Sequence, residues 1–96
     1  MAVALSLSAC AASPPPHSAL DALWRDYRAL PEQRALAIAG ELRRDHWVAG
    51  ATGGHASRGE AEVRALGECR KRRVQRRMQA PCRLYAVGDD VVWPGP

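Results

Sequence analysis

Two cysteines, Cys69 and Cys82, flank a run in which Arg70, Lys71, Arg72, Arg73, Arg76 and Arg77 are all basic. Residue types in this pattern allow three kinds of chemistry. Thiolates can ligate a metal, closely spaced cations can contact phosphates or other anions, and two cysteines can close a disulfide. A metal is the poorest fit. Neither cysteine has the near second member of a Cys-x-x-Cys pair, and His17, His46 and His55 lack the i, i+4 spacing of a helix-borne site. No metal and no other cofactor is therefore expected.

Six positive charges within eight residues would make a phosphate-contacting stripe with salt-dependent affinity. Against a nucleic-acid arm, Trp47, Tyr85 and Trp93 do not interleave with the charges, and no recognition-helix motif is present. The stripe suits an anionic polymer or lipid headgroup better. It also suits a plain solvated helix end, because the macrodipole favours cations at a C-terminus. A Cys69–Cys82 bond would close a loop of about a dozen residues and contribute roughly 3 kcal/mol through lost chain entropy. Two reduced cysteines packed as small hydrophobes are the alternative.

For catalysis, the pairs worth considering are Ser57 with His55 and His46 with Asp45. The loop GATGGHAS, residues 50–57, is glycine-rich but has no phosphate-binding lysine, so turn formation explains its glycines more simply. Asp89 and Asp90 fit a turn better than an acid/base pair. The chain therefore reads as a non-enzyme. A small enzyme or inhibitor acting through the glycine-rich loop is the rival class.

The elements that must position these residues follow from periodicity. In SALDALWRDYRAL, residues 18–30, Leu20, Leu23, Trp24, Tyr27 and Leu30 recur at steps of three and four, the spacing of an amphipathic helix. Ser18 suits its N-cap, Asp21 its first turn, and Pro31 its end. Leu36 and Ile38 alternate with alanines, which predicts a hairpin: strand 34–39, polar turn 40–45, strand 46–51. Ser57 and Glu60 have capping-box spacing and open a helix to about Arg76 or Met78. Ala61, Ala65, Leu66 and Cys69 give it a narrow face of small side chains. After Pro81, the alternation of Cys82, Leu84 and Ala86 against Arg83, Tyr85 and Val87 predicts a strand with its first set toward the helix. A turn at 88–90 then leads into Val91, Val92 and Trp93.

Totals bound the rest. Ninety-six residues allow one small domain. With 47% hydrophobic and 25% charged residues the chain should fold. The net charge is +4, but thirteen Arg stand beside a single Lys and eighteen Ala. That skew points to a GC-rich genome, so the basicity is weak evidence for an anionic partner.

Leu7, Ser8, Ala9 and Cys10 close a short apolar run and precede AASPPPHS. They resemble a bacterial lipobox, in which the cysteine becomes diacylated and starts the mature chain. The resemblance implies a lipid-anchored protein with Cys10 as the lipidated residue and a Pro-rich tether behind it. Cleavage near Ala12 would instead release a soluble periplasmic protein, and without export the segment is an ordinary apolar N-terminus with a free thiol. If Cys10 carries lipid, Cys69 and Cys82 remain as an even pair in an oxidising compartment.

The ordered set ALAIA, HWVAG, ASRGEAEVRALGEC and APCRLYAVGDDVVW resembles a group of short exported bacterial domains of unknown function, over roughly residues 34–93. The likeness implies a strand-strand-helix-strand unit stapled by Cys69 and Cys82. It brings no catalytic residues. The resulting expectation is an α+β fold, a small antiparallel β-β-α-β sheet packed on one helix with an additional N-terminal helix. Residues 1–17 form the address and tether, 18–33 the first helix, and 34–96 the stapled domain. The expected place is the periplasm or outer membrane and the expected role structural or binding. Its partners would be a membrane through Cys10 and an anionic envelope component through the basic run. A cytoplasmic nucleic-acid-binding protein is the further alternative.

Overall fold

A computed structural model describes residues 18–93 of the chain. Cys10, the lipobox-like run 7–10, the tether and His17 lie outside the described residues. The elements are α1 (Ser18–Arg28), β1 (Ala35–Glu41), a 3-10 turn (Leu42–Arg44), β2 (His46–Thr52), α2 (Arg58–Gln75), β3 (Arg83–Val87) and β4 (Asp90–Val91). The strands form one antiparallel sheet in the order β2-β1-β3-β4. This is the small α+β architecture that the sequence predicts.

β1 is an interior strand, paired on both edges, and Ala35 through Ala39 are all fully buried. A strand covered on both faces needs apolar residues without a polar alternate, and ALAIA supplies them. It pairs with β2 from Ala35 opposite Thr52 to Glu41 opposite His46. The polar turn closes with Asp45 in the left-handed region (φ 53°), which the short Asp side chain tolerates.

The two faces of β1 differ in size. Ala35, Ala37 and Ala39 meet Ala61, Ala65 and Cys69 of α2, with Val48 completing the cluster. Leu36 and Ile38 point the other way, against Tyr27 of α1 and a partly buried rim that includes Leu20, Leu23, Trp24 and Leu30. The sheet is therefore covered by α2 on one face and α1 on the other. Small side chains on both sides let α2 approach β2 closely. At Gly50 a Cβ would lie 2.7 Å from the Ala65 carbonyl oxygen and closer still to the Cys69 nitrogen, so only glycine fits.

The ends of α2 are specified locally. The Ser57 hydroxyl accepts from the Glu60 N–H (3.1 Å), and the Glu60 carboxylate accepts from the Ala56 N–H (3.2 Å). At the other end the Met78 N–H reaches the Arg73 carbonyl and the Arg77 N–H the Val74 carbonyl, with Arg77 at φ 55°. That is the Schellman pattern, here with arginine where glycine is usual.

One strand face departs from simple alternation. The pairing of β1 with β3 slips between Leu36 and Ala37: Ala86 lies opposite Leu36, Leu84 opposite Ala37, and Tyr85 is the extra residue of a β-bulge. Leu84 packs toward α2 as expected, whereas Ala86 joins the α1 face together with Tyr85. The bulge shifts the parity of every residue after Leu84, which the pattern of apolar residues does not reveal.

Candidate functional site

Cys69 sits in the buried face of α2, and Cys82 lies just before β3, where the chain returns beneath the helix. They are joined in a disulfide with Cα atoms 6.1 Å apart, inside the ordinary range for such bonds. The bond closes the loop that carries the basic run. It holds the C-terminal turns of α2 to the strand that follows.

The six basic side chains do not share one stripe. Arg72 and Arg76, one turn apart, line a cleft of about 510 Å³ with His46 and Trp47 of β2 and Leu23 of α1. The cleft runs along the free edge of the sheet, since β2 is an edge strand. Arg72 Nη1 donates to the Ala49 carbonyl at 2.9 Å, covering one of the main-chain groups that an edge strand leaves unpaired. Its other guanidinium nitrogen, Nη2, makes no such bond within the described residues. Asp45 is the one acid lining the cleft among the described residues.

The remaining cations are placed differently. Arg73 Nη2 donates to the Gln79 carbonyl at 3.3 Å, which ties the helix end to the following loop, and Lys71 is paired with Glu68 at 3.2 Å. Arg70 and Arg77 are exposed and make no ion pair among the described residues. His46, paired by the sequence only with Asp45, is the contribution to the cleft that the sequence does not group with the basic run. Its distance in sequence from the basic run hides it, and only the hairpin brings it to Arg72 and Arg76.

The histidine of the glycine-rich loop has a different partner from the one its spacing suggests. Ser57 is occupied as the cap of α2. His55 instead meets Thr52, with Nε2 2.6 Å from Oγ1, and its Nδ1 lies 3.3 Å from the Glu60 carboxylate. The Ala56 N–H first, then His55, hold the Glu60 carboxyl below the usual carboxylate range. Hydroxyl, imidazole and carboxylate thus lie in a line, but the Glu60 oxygen that meets the ring also closes the helix cap. The line fastens the loop between β2 and α2. His46 and Asp45, the other pair, are both exposed at the hairpin turn.

Among the described residues no group of three or more His, Cys, Asp or Glu is placed to hold a metal ion, and no helix is long and apolar enough to cross a membrane. No protein-family model, curated protein or solved structure matches this chain.

Proposed function

We propose that this is an exported protein of the bacterial cell envelope that binds rather than catalyses, and that its contact with an anionic envelope component is the basic end of α2. Lipid on Cys10 would hold it at the membrane; a single acyl chain gives marginal attachment, so more than one is required. The Cys69–Cys82 bond supports the oxidising compartment. One observation carries the binding reading. Arg72 and Arg76 share a cleft with His46, and neither guanidinium has a carboxylate within ion-pair distance among the described residues.

Vesicle cosedimentation tests it. The chain without its acyl groups should pellet with phosphatidylglycerol vesicles and not with phosphatidylcholine, and high salt should release it because the contact is made of exposed charge. Arg76→Gln should weaken the association while leaving the fold intact, since Arg76 makes no side-chain hydrogen bond among the described residues. Equal pelleting with both vesicle types, or tighter binding to duplex DNA than to either, would replace this reading. Intact mass from the native envelope tests the address: a chain that starts at Cys10 with added acyl mass is expected.

A further inference from the structure

All five aromatic residues, Trp24, Tyr27, Trp47, Tyr85 and Trp93, belong to the α1 side of the sheet. Four form a row. The ring centroids of Tyr27 and Trp24 are 5.3 Å apart, those of Trp24 and Tyr85 6.1 Å, and those of Tyr85 and Trp93 5.7 Å. α1 supplies the first two rings of the row, Tyr27 and Trp24. At the far end, where no α1 residue contributes, the row opens into a cleft of about 720 Å³ lined by Leu42, Tyr85, Val91 and Trp93. Small-molecule sites are mostly apolar concavities of this order, with a few polar groups at fixed places.

The bulge in β3 shapes the floor. Tyr85 is its extra residue, and its ring sits between those of Trp24 and Trp93, edge-on to the first and tilted to the second. Gly40 and Glu41 at the end of β1 complete the lining. Charge at the rim comes from the 3-10 turn. Arg44 is held by Glu41 at 3.3 Å, whereas Arg43 has no carboxylate within ion-pair distance among the described residues. The rim therefore carries one uncompensated positive charge over an aromatic floor.

We propose that this cleft binds a small aromatic monoanion, its ring system against Tyr85 and Trp93 and its acidic group at Arg43. Tilted rings give a flat ligand offset-stacked and edge-to-face contacts that a flexible chain cannot make. The guanidinium supplies a charge-assisted, planar partner for a carboxylate. The cleft is lined by the end of β1, the 3-10 turn, β3, β4 and Trp93, and it shares no lining residue with the cleft of Arg72 and Arg76.

Calorimetric titration of the full chain tests this with 2-naphthoate, its neutral counterpart 2-naphthalenemethanol, and undecanoate, an aliphatic acid of the same carbon number. Saturable one-to-one binding of 2-naphthoate is expected, about fivefold or more tighter than either of the others. Arg43→Gln should cost 2-naphthoate the same factor and leave 2-naphthalenemethanol unchanged. Val91→Glu, at a position 55% exposed, should abolish binding by placing a carboxylate in the cleft without disturbing the core. Arg76→Gln, which should weaken vesicle association, should leave 2-naphthoate affinity unaltered, because Arg76 does not line this cleft. Absence of saturable 2-naphthoate binding, equal affinity for undecanoate, or indifference to both cleft variants would overturn the proposal.

Discussion

The Tyr27 hydroxyl donates a 2.7 Å hydrogen bond to the Gly88 carbonyl oxygen, joining the first helix to the turn between β3 and β4. Arg34 reinforces the junction: its guanidinium lies 5.6 Å from the centroid of the Tyr27 ring, its Nη1 donates to the Leu30 carbonyl, and its Nη2 pairs with Asp89. The Gly88 N–H returns to the Arg34 carbonyl at 2.9 Å. Two stretches distant in sequence, residues 27–34 and 88–89, are thereby locked around one phenol.

Tyr27→Phe should cost about 1–2 kcal/mol, because it leaves the Gly88 carbonyl without its partner while preserving the ring packing. The same variant has a pH signature. Burial, partly countered by Arg34, raises the Tyr27 pKa above its ordinary value. The unfolded chain therefore ionises this phenol first, so the contribution is complete below the ordinary tyrosine pKa and is lost as pH rises toward the folded value. Urea melts of wild type and variant should accordingly converge at alkaline pH.

Gly50→Ala should destabilise by about 2 kcal/mol or more, since the added methyl meets backbone atoms of α2 that cannot rotate away. The urea midpoint should fall with little change in slope. A neutral result would mean that α2 can lift from the sheet, and the close alanine packing would then contribute less than its burial indicates.

Reduction of the disulfide should lower stability by roughly 3 kcal/mol. Cys82→Ala should show the same loss, and its midpoint should no longer respond to reductant. Because Cys69 is fully buried in the alanine cluster, Cys69→Ala should lose somewhat more through the space left behind.

Ser57→Ala should cost about 1 kcal/mol as the loss of a helix cap. Glu60 adds a pH dependence of opposite sense to that of Tyr27. Its depressed pKa means that its contribution is present above the ordinary carboxylate value and is lost as pH falls through the lowered one. In Glu60→Gln that part of the acid-side decline should be missing, as read by thermal melts from neutral to acid pH.

Much of the fold was legible locally. The helix at 18–28, the hairpin, the Ser57–Glu60 box and the small-residue face of α2 each depend on neighbours within a few positions, where period and capping chemistry act directly. The bulge at Tyr85 was not, because it arises from how β3 seats against β1 and its residues carry no mark of the slip. Nor was the partner of His55. Ser57 is nearer in sequence, but the cap takes its hydroxyl and the ring meets Thr52 instead.

By itself the sequence determined the element types and their order, the caps of α2, the small alanine face and the placing of Cys69 on a helix and Cys82 just before the following strand, since all of these rest on short-range geometry. Tertiary structure alone decided which side chains share a surface. It set Arg72 and Arg76 beside His46 at the sheet edge, and it gathered Trp24, Tyr27, Tyr85 and Trp93 into a row that ends near Arg43. Both groupings depend on strand order and register, and those are settled by the packing of the two helices on opposite faces of one sheet rather than by any stretch of neighbouring residues.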